Sequence, residues 1–201
     1  MNAPRTKNSE ETRNRLLDAG EEVMLAKGYV AATVDGICEA AGVTKGSFFH
    51  HFRNKEEIGK ALVTRFAGRQ GERFTAACGE IADPLDRIYC IVDCVIEASR
   101  SPEMKGCLVG TLAQEISKTH PELGQLCQAS FDAFSGQLAK TLEEAKALHC
   151  PDAEFDAASL GHYFVSLGQG SMLLGKNDGD WARMEGNMKH FRDYLRNLFG
   201  R

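Results

Sequence analysis

With 201 residues, 43% of them apolar, the chain can bury a real core, as one large domain or as a small module joined to a larger one. A net charge of -4 excludes a general nucleic-acid binder held by bulk charge, and no apolar run nears the ~20 residues of a membrane span. Seven cysteines with no C-x-x-C pair make no disulfide framework, and MNAPRTKNSEETRNR lacks the apolar core of a signal peptide, so the expectation is a reducing, cytoplasmic setting.

Charge is unevenly placed. Residues 1–66 carry ten Lys/Arg against nine Asp/Glu, whereas residues 67–201 carry fourteen against nineteen. A weakly basic head on an acidic body suits a protein that meets DNA through a small face.

Residues 1–8 form a polar tail in which Arg5 and Lys7 either reach a DNA backbone or are simply solvated. Ser9 is a helix N-cap candidate, with Glu10 and Glu11 favoured by the helix dipole. Leu16, Leu17, Gly20, Val23 and Met24 then recur at helical spacing, and Gly28 closes the helix. Thr33 caps a short helix whose inward side carries Ile37, Ala40 and Ala41, and Gly42 occupies a tight turn that favours glycine. Thr44 caps a second short helix, which offers Lys45, Gly46, Ser47 and His50 to solvent and keeps Val43, Phe48 and Phe52 for the core. This is the shape of a helix-turn-helix, whose second helix can enter the major groove.

Asn54 and Glu57 fit a capping pair, with Lys55 in the first turn where a phosphate can be held. Ile58, Leu62, Val63 and Phe66 continue that helix to about Cys78. Pro84 opens a helix carrying Leu85, Ile88, Ile91, Val92, Val95 and Ile96, and a loop spans Arg100 to Gly106. Cys107, Leu108, Leu112 and Ile116 suggest a short helix, and Leu123 to Leu148 is a long amphipathic run burying Leu126, Phe131, Phe134, Leu138 and Leu142. After Pro151, Phe155 to Leu174 is apolar nearly all round with glycines inside it, and Trp181 to Phe199 is the last helix. The reading is all-α: a helix-turn-helix DNA-binding domain over residues 1–54 and an effector-binding and dimerisation domain over 55–201.

The run from Thr33 with Ile37 through AAGVTKGS (residues 40–47), His51-Phe52 and Asn54-Lys55-Glu56 resembles the DNA-binding motif of the TetR family of bacterial transcriptional regulators. With the preceding helix, the resemblance covers about a third of the chain. It implies a homodimer that binds double-stranded DNA, commonly as a repressor, and a small-molecule effector held among the middle helices. It also makes the Lys55–Cys78 helix the lever between body and head. One departure stands out: Phe49 replaces the tyrosine whose hydroxyl normally reaches a phosphate in this family, so His50 or Ser47 must supply the contact or it is lost.

Lys45, Ser47 and His50 are therefore candidates for base or near-base contacts, flanked on the same tip by Gly46 and Phe49. Thr33, Thr44, His51 and Lys55 are candidates for phosphate, although His51 can also pack within the head. Phe66, Phe74, Ile88, Ile91, Phe131 and Phe134 are candidates to line the effector cavity, each with ordinary core packing as the plainer reading. His162 and Tyr163 fit the cavity or an interface. The last two helices suggest a four-helix dimer interface through Phe155, Gly161, Phe164, Gly168, Trp181, Met188, Phe191 and Tyr194, the plainer reading being a core within one chain. Paired heads would meet half-sites about 34–36 Å apart.

Cys107 follows Lys105-Gly106 at a helix start, where dipole and cation favour a reactive thiolate. It is thus an effector-site candidate for thiol-reactive compounds, the simpler reading being a small apolar side chain. Cys90 and Cys94, at i and i+4, could chelate a soft metal, but no histidine or carboxylate is placed to complete the site, so core packing is the plainer reading. No cofactor or metal is called for. The chain lacks a Gly-rich phosphate loop after a strand, G-x-S-x-G and H-E-x-x-H, which argues against an enzyme. The alternative is a helical dimeric adaptor without specific DNA binding.

Overall fold

The computed structural model describes residues 3–201 apart from Ser117, with side chains from residue 8 onward. The side chains of Arg5 and Lys7, and the tip of the tail, lie outside the described residues. Nine helices and no strand occur among those described: α1 (Ala3–Ala31), α2 (Val34–Ala41), α3 (Lys45–His51), α4 (Lys55–Cys78), α5 (Pro84–Arg100), α6 (Leu108–Ile116), α7 (Pro121–His149), α8 (Ala157–Asp178) and α9 (Ala182–Phe199).

The helices fall into two compact units. One holds the residues up to Ala67 together with Cys107–Ser130, and the other holds Gly68–Gly106 with Phe131–Arg201. The cuts pass through α4 and α7. This division by compactness differs from a functional boundary at residues 54/55, because α6 and the start of α7 fold with the helix-turn-helix.

In the first unit α1 packs on α2, α3 and α6. Ser9 is not a cap, since the helix already runs from Ala3. Gly28 does interrupt α1, at φ 81° and ψ 171°, a conformation that glycine adopts without strain. On α2 the inward face carries Ile37, Cys38 and Ala41, whereas Ala40 is exposed. Cys38 takes the inward place expected for Ala40, its sulfur 3.9 Å from the Thr44 carbonyl.

The segment after Gly28 is held by two side chains from elsewhere in the unit. The Val30 N–H donates to Glu115 Oε2 of α6 at 2.7 Å. The Lys55 ammonium donates to the carbonyls of Tyr29 at 2.8 Å, Val30 at 3.3 Å and Ala32 at 2.8 Å, and lies 4.4 Å from the centre of the Tyr29 ring. Burial lowers the pKa of this lysine. The ammonium's three protons are therefore spent inside the unit.

In the second unit α5, the C-terminal part of α7, α8 and α9 surround one core that includes Ile88, Val92, Leu138, Leu142, Phe164, Met188, Phe191 and Leu195. Asp83 caps α5 by accepting from the N–H groups of Leu85 and Asp86, with Pro84 in the first turn. Asp156 caps α8, which starts at Ala157 and not at Phe155, and runs past Leu174 to Asp178.

Replacing Lys55 with methionine keeps the apolar stem and leaves the carbonyls of Tyr29, Val30 and Ala32 without their charged donor. We expect a loss of about 2–4 kcal/mol in unfolding free energy, together with faster amide exchange around residues 28–34. Parent-like stability and exchange would refute this structural role.

Candidate nucleic-acid interface

The tip of the first unit is built by its caps. Thr33 Oγ1 accepts from the Gly36 N–H at 3.0 Å, and Thr44 Oγ1 accepts from the Ser47 N–H at 3.2 Å. Gly42 closes α2 at φ 61° and ψ 42°, the left-handed geometry that turns the chain into α3. From α1, Arg15 Nη2 donates to the carbonyls of Ala41 and Gly42, at 2.5 and 3.1 Å. The turn is thus fixed from behind as well as from its own sequence.

On α3, Phe48 is wholly buried and meets Phe49 edge-on and Phe52 at a tilt, with centroids 5.4 and 5.7 Å away. Burial of this one side sends the rest outward. Thr44, Lys45, Gly46, Phe49 and His50 are exposed, and Ser47 and His51 are partly so. The expected base-reading group is therefore brought together on one open surface at the start of α3.

Each polar group has a local partner that DNA can displace or share. Lys45 Nζ sits 2.6 Å from Asp35 Oδ1, with both side chains more than half exposed. Thr44 Oγ1 and Ser47 Oγ lie 3.0 Å apart. Because Thr33 uses its hydroxyl oxygen to accept, its proton stays available to a phosphate. Phe49 offers only a ring. His51 sits edge-on to His50 at 5.0 Å, and its pKa is lowered, chiefly by burial and then by the neighbouring charges of His50 and Arg13. It therefore presents a neutral ring at pH 7. Lys55 is the exception to the expected phosphate set: its protons are taken by carbonyls, so contact with DNA would require breaking that internal arrangement.

The other expected sites divide. Phe66 and Cys107 lie in the first unit, and Phe74, Ile88, Ile91, Phe131 and Phe134 in the second. Ile88 is wholly within the second core, Ile91 and Phe134 flank it, and Phe131 is partly buried. Phe74 stacks on Phe134 at 5.3 Å with 8° between the rings. Cys107 immediately precedes α6 and acts as its cap: Sγ accepts from the Gly110 N–H at 3.4 Å, and its carbonyl accepts from Thr111. A thiolate there would be favoured by the same amides.

Most of the proposed dimer residues are already used within the chain. Phe164, Met188 and Phe191 belong to the second core, and a Cβ at Gly161 would meet the Ser135 carbonyl at 2.5 Å. Phe155 packs edge-on to Phe199, and the Trp181 ring covers Gly175. Tyr194 is half-exposed, and Gly168 has open space at its Cβ position. The open face of α8 instead carries His162, Tyr163, Ser166, Gly170, Leu173, Leu174 and Asn177. None of these is an Asp, Glu, Lys or Arg, and Tyr163, Leu173 and Leu174 are about half exposed. The period of the helix identified two apolar sides without saying which one turned inward; the absence of formal charge from 162, 166, 170, 173 and 177 was the available signal for an interface.

Two groups that sequence reasoning missed, Glu115 and Arg15, bind backbone far away in sequence. The sulfurs also regroup: Cys90 is joined to Cys78 by a disulfide, contrary to the expectation that the cysteines would remain unpaired.

Comparison with known proteins agrees with this architecture. The profile described as bacterial regulatory proteins, tetR family, matches residues 16–62, and that described as tetracyclin repressor-like, C-terminal domain, matches residues 84–191. The transcriptional regulator AcuR of Cereibacter sphaeroides is 33% identical over 166 residues, spanning 80% of this chain and 74% of that protein. The crystal structure of regulatory protein TetR from Rhodobacter sphaeroides matches with a TM-score of 0.80 at 27% identity, over 91% of this chain and 98% of that one. The Escherichia coli repressor NemR, crystallised in a reduced form, shares the fold with a TM-score of 0.79 at 23% identity, over 90% of this chain and 95% of its own. These relatives are regulators and not enzymes, and regulators of this kind bind DNA and function as dimers. The chain belongs to the TetR family and is a DNA-binding transcriptional regulator.

Proposed function

We propose that the protein is a cytoplasmic repressor that binds an inverted-repeat operator as a homodimer and releases it when a small-molecule or thiol-reactive effector acts. The observation that carries this reading is the capped, open start of α3, where Lys45, Ser47 and His50 share one surface. The charge-free face of α8 supports the dimer, and no described helix is long and apolar enough to cross a membrane. A repressor's name on NemR is in keeping with repression here.

Release is explained by α6. Its first turn is capped by the Cys107 sulfur, and near its other end Glu115 holds the Val30 N–H, three residues before the cap of α2. Alkylating or oxidising Cys107 removes the cap and adds bulk or charge at a packed helix end. A shift of α6 would then be passed to the segment from which the helix-turn-helix hangs.

Three measurements test the parts separately. Lys45→Ala should weaken binding to an inverted repeat selected from a random duplex pool by about 1–3 kcal/mol and relax its sequence preference; unchanged affinity and preference would remove Lys45 from the interface. Binding indifferent to sequence in the parent protein would favour an adaptor. Tyr163→Glu combined with Leu174→Glu should yield monomers in sedimentation, whereas intact dimers would place the interface elsewhere. Cys107→Ser should abolish release by N-ethylmaleimide while leaving operator affinity within about twofold, the cap being replaced by another acceptor; retained release would eliminate Cys107 as the sensor.

A further inference from the structure

Three sulfur atoms meet where the end of α4 faces α5. Cys78 is the last residue of α4 and is buried, while Cys90 and Cys94 lie one turn apart on α5. The three Sγ atoms all fall within 4.8 Å of one another. Cys78 and Cys90 form a disulfide with Cα atoms 5.8 Å apart, and the Cys94 sulfur is 3.9 Å from that of Cys78. All three belong to the second compact unit, and Cys107 to the first.

We propose that, once a thiol reductant opens the disulfide, Cys78, Cys90 and Cys94 form a three-sulfur site for a trivalent metalloid, arsenic or antimony. Sulfurs bonded at about 2.3 Å to one centre lie roughly 3–4 Å apart. The Cys78–Cys94 pair already has that spacing, and a side-chain rotation brings Cys90 to it. An all-sulfur donor set excludes hard cations such as magnesium and calcium. Zinc in a closed site takes four ligands, and among the described residues no histidine or carboxylate joins the group.

Charge decides among the remaining soft ions. Three thiolates neutralise a trivalent centre, whereas with monovalent copper they leave a double negative charge. A neutral adduct is the one this partly buried position accommodates at least cost. The chemistry balances. Two reductant thiols become a disulfide as the Cys78–Cys90 bond becomes two thiols; arsenous acid then exchanges three hydroxyls for three sulfurs and releases three waters. The bound centre would fasten the end of α4 to α5, and its existence does not depend on the operator reading.

The test uses the full chain, reduced with a phosphine, freed of it by anaerobic gel filtration and titrated with sodium arsenite. We expect one arsenic per chain, three sulfur neighbours in X-ray absorption and the loss of three titratable thiols. Cys94→Ser should bind about a hundredfold more weakly, having lost the effective concentration of one tethered ligand, while Cys150→Ser binds as the parent does. A two-sulfur arsenic environment, undiminished binding by Cys94→Ser, or displacement of the arsenic by equimolar zinc would each overturn the proposal. If circular dichroism shows Cys94→Ser unfolded, the sulfur count on the unaltered chain decides by itself.

Discussion

The chain leaves α1 through a break at Gly28, and the peptide groups of that break are satisfied from a distance. A helix end exposes carbonyls and N–H groups that cost about 1–3 kcal/mol each if buried without partners. Here Glu115 takes the Val30 N–H and Lys55 takes the carbonyls of Tyr29, Val30 and Ala32. The two charged groups also attract each other. Helices α1, α4 and α6 are thereby tied at the point where the chain turns toward α2. A side chain at Gly28 would both force the backbone and overlap the Glu115 carboxylate, so the break, the acid and the lysine form one device.

That device matters because the reading helix cannot stand alone. At seven residues α3 is well below the ~12–15 at which an isolated helix becomes even marginal. It exists because Thr44 caps it, Phe48 anchors it and Arg15 clasps the preceding turn. What remains free is a surface whose internal interactions are weak. The Lys45–Asp35 pair is exposed on both sides, and such pairs contribute about 0–1 kcal/mol. A phosphate or a guanine edge can therefore outcompete Asp35 for Lys45, while nothing comparable frees Lys55 from its three carbonyls. The same residue type thus has two roles, set by burial and by the number of partners.

Local chemistry explains what could be read from the sequence. Thr33, Gly42, Thr44 and the Asn54–Glu57 pair act on backbone within four residues, so spacing alone revealed them, and the Asn54 cap does bond Glu57 N. The resemblance to the family rested on these same positions. Glu115 and Arg15 could not be read that way, since their partners lie 85 and 26 residues distant and their own surroundings look like ordinary solvated charge. Helical periodicity found α8 and α9 but could not tell that Phe164, Met188 and Phe191 lie in the chain's own core, because an apolar stripe looks the same whether it faces its own core or a second copy. Cys78 was invisible for another reason: it meets Cys90 only after the chain reverses at residues 79–83.

The cysteines show how environment, not residue type, distributes reactivity through the two units. Cys127 is wholly buried, and its thiol is pushed up to about 11 by that burial and then by the neighbouring Cys107. At neutral pH it is an inert packing group. Cys38 is likewise raised by burial on the inward face of α2. Cys107, beside Cys127 but at a helix start, has the Gly110 N–H as a donor to its sulfur. In the second unit the sulfurs act by proximity: Cys78 is tightly buried, yet it is oxidised because Cys90 is within reach. Chemistry at Cys107 therefore bears on the unit that carries the helix-turn-helix, whereas chemistry at Cys78, Cys90 and Cys94 bears on the unit built around α8 and α9.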